Sequence, residues 1–226
     1  LAIGVGLARN EISNEVDAYI ANAAKVEATA DDGIGIKIQA TDNAMITSTA
    51  AAASAAASFG AGAFSVSGAG AEALNVILTK TRAYVDSSNL ISAGAIDVTA
   101  SDTSTIYAQV RTDVAAVSVG GIAGALTIGA AEAKNFIGYT ASETSQPAEV
   151  LAYMSNSSAD AEGLLSISAT EAATITADIA SESASVAGGL IAVGASGAGV
   201  TIKNKVNTDV KAFIDTTTEE GIEASA

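Results

Sequence analysis

The chain has 226 residues, of which 49% are hydrophobic, 4% aromatic and 15% charged. It has no Cys, His or Trp, which excludes disulfide scaffolds, zinc–thiolate and imidazole metal sites, and Ser–His or Cys–His nucleophile pairs. With 25 acidic against 10 basic side chains, the net charge is −15, and binding to nucleic acid or anionic lipid headgroups is disfavoured.

Along the chain one grammar recurs. The first block, about residues 1–65, carries Asn10-Glu11-Ile12, then Ala18-Tyr19-Ile20, then Ile36-Lys37-Ile38-Gln39-Ala40-Thr41-Asp42. The second, about 66–125, carries Asn75-Val76-Ile77, Ala83-Tyr84-Val85 and Ile96-Asp97-Val98-Thr99-Ala100-Ser101-Asp102. The third, about 126–194, carries Asn135-Phe136-Ile137, Ala152-Tyr153-Met154 and Leu165-Ser166-Ile167-Ser168-Ala169-Thr170-Glu171. A partial fourth, 195–226, carries Asn204-Lys205-Val206 and Ala212-Phe213-Ile214. The Asn anchors stand 65, 60 and 69 residues apart. The third block alone has extra residues between its anchors, over about 139–150, where the only proline, Pro147, lies. Such an insertion reads as a surface loop on a repetitive scaffold.

Within each block apolar and polar residues alternate, as in Ile36, Ile38 and Ala40 against Lys37 and Gln39. Period-2 alternation predicts strands with one buried face. Glycines at 33, 94, 120–121, 163 and 188–189 fall where turns are expected. The Ala/Ser run Thr49–Ser58 has helical propensity. Its counterparts, Val114–Val119 and Ser183–Ala187, are strand-like, so it is expected to be a strand in a narrow core where two walls meet. The expected architecture is all-β: one continuous β-solenoid, parallel β-helix-like, in which no unit buries its own apolar face and each must stack on the next. Whether one unit makes one wide rung or several short ones is left open by the pattern.

The sequence of Asn-x-Ile/Val, Ala-Tyr-Ile/Val, a Gly turn and Ile-x-Val-x-Ala-Thr/Ser-Asp/Glu resembles the repeats of giant bacterial surface proteins. These are the leukotoxin-type adhesins, similar in style to filamentous haemagglutinins. The resemblance implies an extracellular stalk displayed at the bacterial cell surface, and it carries over no catalytic residue.

If the units stack in register, Asn10, Asn75, Asn135 and Asn204 form an amide ladder hydrogen-bonded along the column. Tyr19, Tyr84, Tyr153 and Phe213 read either as stacked rings holding layers together or as an outward stripe for glycan contact. Asp42, Asp102 and Glu171 share one slot. Stacked carboxylates repel, so they are expected either to face water or to share cations. Asp31 and Asp32 before Gly33 resemble the start of a cation loop but lack the spaced ligands of an EF-hand, so they read first as a polar turn. Structural calcium at these acids is the one cofactor the sequence admits. Lys203, Lys205 and Lys211 near Asp209 are the nearest approach to a catalytic cluster and read first as a solvated strand face.

No enzymatic activity is expected. The functional expectation is a structural segment of a secreted filament or stalk, self-associating end to end or continuing into further repeats, without membrane insertion. Two alternatives stand beside it. One is an adhesin face for a glycan or host receptor, centred on the 139–150 insertion. The other is a polysaccharide-active β-helix enzyme.

Overall fold

The computed structural model describes residues 1–29 and 33–215. Among them every regular element is a strand. In chain order these are β1 (Ala2–Ala21), β2 (Val26–Ala28), β3 (Ile34–Asp42), β4 (Met45–Asp86), β5 (Asn89–Ser92), β6 (Ala95–Asp102) and β7 (Thr105–Ile137). There follow β8 (Ala148–Ser155), β9 (Ser158–Ala161), β10 (Leu165–Glu171), β11 (Thr174–Gly188), β12 (Ile191–Val206) and β13 (Thr208–Asp215).

The pairing is parallel throughout these strands. The long strands form one curled, half-barrel sheet in which β4 lies between β1 and β7, and β7 also carries β11 and β12. Two small sheets complete the walls, in the orders β10-β6-β3 and β2-β5-β9. Each pass of the chain lies on the one before with like residues opposed. Asn10 pairs with Asn75 and Tyr19 with Tyr84. Asn75 pairs with Asn135, Tyr84 with Tyr153, and Asn135 with Asn204. The Ala/Ser run is a strand despite its helical propensity, because Thr49–Ser58 pairs residue for residue with Gln109–Ser118 of β7. Ladder pairing and burial on one face override the intrinsic preference.

Side-chain volume sets the width of the core along each pass. Where the two halves of β4 face each other the interior is alanine: Ala50, Ala52, Ala69, Ala71 and Ala73 pack with Val110, Val114, Ala131 and Ala133. Next comes a row of isoleucines, Ile46, Ile77, Ile106 and Ile137, flanked by Ile12 and Ile175. Beyond it the three sheets enclose a wider core of Ile36, Ile38, Val85, Leu90, Ile96, Val98, Val150 and Met154. The chain reverses at the narrow end through Gly60, whose φ of 146° lies where L-residues are strained.

In the first pass the two walls meet backbone to backbone at Gly4 and Gly6. A Cβ on Gly6 would lie 2.1 Å from the Ala51 carbonyl oxygen, which is backbone and has no means of swinging aside. Its register partner Ala71 carries a methyl, so the gap is wider one layer up. Gly70, by contrast, has open space around a built Cβ. Gly6→Val should therefore cost about 1–3 kcal/mol by overpacking, read as a lowered urea midpoint, while Gly70→Ala should leave the midpoint unchanged or slightly raised. Equal effects would contradict the close approach of the walls.

Candidate functional site

The side chains singled out by spacing stand in columns across the layers. Asn10 Nδ2 donates to Asn75 Oδ1 at 2.9 Å, Asn75 Nδ2 to Asn135 Oδ1 at 2.8 Å, and Asn135 Nδ2 to Asn204 Oδ1 at 2.9 Å. Asn75 also donates to Ser48 Oγ across the core at 2.9 Å. Asn75 and Asn135 are fully buried, where an unpaired amide would be expensive. The parallel register supplies each amide with a copy of itself and removes that cost.

The rings of Tyr19, Tyr84, Tyr153 and Phe213 stack with centroids 5.1, 5.0 and 5.1 Å apart and planes within 10° of parallel. The column lies on the outer face, with Tyr19 59% and Phe213 39% exposed. Both expected features are therefore present, stacking and an outward position. Burial against neighbouring rings and nearby carboxylates raises the Tyr84 and Tyr153 phenols. The inner rings use both faces on each other, so edges and phenol oxygens are what this stripe offers to solvent. Glycan stacking needs a free ring face, which restricts it to the ends of the column. Beside the rings, Arg82 spans layers to Asp17, with Nε donating to Oδ1 at 2.8 Å, and also pairs with Glu15.

The acidic column corrects its expectation. Asp42, Asp102 and Glu171 align in register but turn inward at the corner between the small β10-β6-β3 sheet and the long strands. Asp102 is fully buried and Asp42 nearly so. Asp102 accepts from Thr79 Oγ1 at 2.5 Å and from Ser104 Oγ at 2.8 Å. Asp42 Oδ2 and both carboxyl oxygens of Glu171 are buried without a partner. Burial first, then the neighbouring carboxylates, pushes Glu171 up to about 7. Burial also raises Asp102 against the opposing pull of its two hydroxyl donors. Carboxylates facing water do not describe this arrangement. Among the described residues no group of three or more acids is arranged to hold a metal ion. Asp31 and Asp32 lie outside the described residues.

The insertion begins one residue earlier and ends sooner than expected. It occupies 138–147, and Ala148–Val150 already belong to β8. It folds over the outer face, where Tyr139 and Ala141 cover Val76, Leu78 and Phe136. Its Glu143, at a φ of 66°, accepts from Lys203 Nζ at 2.7 and 2.6 Å and from Lys205 Nζ at 2.8 Å. Those hydrogen bonds hold its carboxyl down at about 2. Lys205 also lies over the Tyr139 and Phe136 rings at 5.1 and 5.8 Å. Two of the three lysines considered for catalysis thus clamp the loop to β12, and Lys211 pairs with Asp209 at 2.6 Å.

The corners after the aromatic column went unnoticed in the sequence. Asn22, Ser87 and Asn156 take φ values of 54°, 48° and 47°. Behind them Ser88 Oγ accepts from the Ala23 amide and Ser157 Oγ from the Ser88 amide, each at 3.0 Å. The Asn or Ser at this repeated slot was the available signal, since Asn in particular tolerates the left-handed region.

No family model, no curated protein and no solved structure matches this chain.

Truncating the centre of the amide ladder should do more harm than truncating its end. Asn75→Ala orphans groups on Asn10, Asn135 and Ser48 and should cost about 2–4 kcal/mol. Asn204→Ala, at the exposed end, should cost under about 1 kcal/mol. Urea unfolding of both variants checks this, and equal costs would contradict a shared buried ladder.

Proposed function

We propose that the chain is a non-enzymatic segment of a β-solenoid stalk or filament that acts mechanically, as an extracellular spacer at a bacterial surface. One observation carries this reading: like residues oppose one another at separations of 65, 60 and 69 residues, through the Asn bonds and the ring stack alike. Parallel ladders between successive passes run their hydrogen bonds along the stacking direction. A load applied along that direction is shared by the backbone ladder and by the side-chain columns that cross the same layers.

Further support comes from the surface. Cross-layer ion pairs of Arg82 with Asp17 and of Lys134 with Glu72 tie adjacent passes on the outside. The clamp at Glu143 does the same between the insertion and β12. The strongly acidic surface keeps an elongated object soluble and discourages side-by-side aggregation. The outermost strands expose unpaired ladder edges, which suit either continuation into further layers or end-to-end association of copies.

Negative-stain microscopy with X-ray diffraction of aligned material tests this reading. The expected result is a thin rod or fibre with a reflection at about 4.8 Å along its long axis. Compact particles without an axial strand repeat would contradict it. An antibody to the chain should also label the surface of intact producing cells, and labelling confined to the cell interior would remove the extracellular assignment.

A further inference from the structure

Buried carboxyl oxygens without a partner are rare in folded proteins, and each requires an explanation. Here three such oxygens occur in one column, on Asp42 and Glu171, with the fully buried Asp102 between them in register. We propose that the Asp42–Asp102–Glu171 column is a proton-operated lock on this corner of the fold, closed while the carboxyls carry protons and strained when they ionise together.

The surroundings leave protons as the means of relief. β1 contributes Asn14, whose Nδ2 donates to Asp42 Oδ1 at 3.5 Å. β4 contributes Thr79, and Ser104 precedes β7; both donate to Asp102. β8 presents the apolar Ala148 and Val150 to the interior. The charged residues of the adjoining strands, Glu15, Asp17, Lys80, Arg82, Glu149, Asp209 and Lys211, occupy the alternate, outward positions of the same register. Among the described residues no basic side chain therefore enters the corner, and the charges that raise Glu171 are those of Asp102 and Asp42. A carboxyl in such a position gains a hydrogen-bond donor and loses its repulsion by binding a proton.

The sign follows from linkage. Glu171 binds its proton more tightly folded, at about 7, than at its ordinary value of 4.5. Its contribution to stability is complete below the ordinary value and is lost as pH rises through about 7. Asp102 shifts in the same direction. The chain has no histidine and no cysteine, so no other side chain with an ordinary pKa titrates between about pH 5 and 8. The lock rests on the packing of the corner and is independent of the stalk reading. A chain that failed to form rods would keep the same titration.

The test is the unfolding midpoint of the whole chain from pH 5 to 8, for the wild type and for Glu171→Gln. In the wild type the unfolding constant should rise at least about tenfold across that range. In Glu171→Gln most of that rise should vanish. A flat wild-type profile, or a Glu171→Gln profile with the full wild-type slope, would overturn the proposal. Millimolar calcium at pH 8 should leave the midpoint unchanged. Restoration of the pH 5 value would make the column a cation site and overturn the proton reading. Should the variant fail to fold, side-chain carboxyl carbon NMR of the wild type decides. A glutamate titrating near 7 supports the lock, and every carboxyl titrating below about 5 contradicts it.

Discussion

Parallel, in-register pairing of the chain with itself is the constraint on which the rest of the structure depends. It places each residue against a near-copy of itself one strand spacing away. Only some side chains profit from that. An amide has both a donor and an acceptor, so Asn75 can accept from Asn10 while donating to Asn135. A ring has two faces, so Tyr84 can lie between Tyr19 and Tyr153. A carboxylate has acceptors alone. Asp102 is tolerated because Thr79 and Ser104 supply donors, and Glu171, which lacks them, is pushed up to about 7.

The small-residue composition has a physical role within this scheme. Alanine, serine and glycine let two β walls approach until backbone meets backbone, as at Gly6 and Ala51. So thin an interior buries little apolar area per residue, and hydrophobic burial there is correspondingly weak. Hydrogen bonds across the gap compensate in part. Ser54 and Ser67 are 2.7 Å apart, as are Ser65 and Ser118. The wide core of Ile, Val and Leu at the other end supplies the apolar burial that the narrow end lacks. The shape of each pass is thus a consequence of where the sequence places bulk.

Much of this was legible in the sequence because it depends on spacing. The positions of Asn10, Asn75, Asn135 and Asn204 were enough to expect a shared column, and the alternation in Ile36–Ala40 was enough to expect a strand. What escaped was direction and local conformation. Alternation does not say on which side of a corner the last residue of a strand turns, so Asp42, Asp102 and Glu171 read first as solvent-facing when they point inward. The far boundary of the insertion was misplaced because Ala148 and Val150 look the same in a loop or at a strand start. The pairing of Glu143 with Lys203 and Lys205 joins residues 60 and 62 positions apart with no repeated partner in other blocks, so nothing periodic announced it.

Cysteine pairing tests the register most directly, since the chain has no cysteine of its own. Ala115 of β7 lies opposite Ala184 of β11, two residues from the position opposite Val186. Adjacent in-register positions fall within disulfide reach of about 4.4–6.8 Å, whereas a two-residue offset takes the pair beyond about 7 Å. Under mild oxidation the chain carrying Ala115→Cys and Ala184→Cys should close an internal disulfide while the chain carrying Ala115→Cys and Val186→Cys should not. Equal closure in both, or closure in the offset pair alone, would contradict the parallel register and everything built on it.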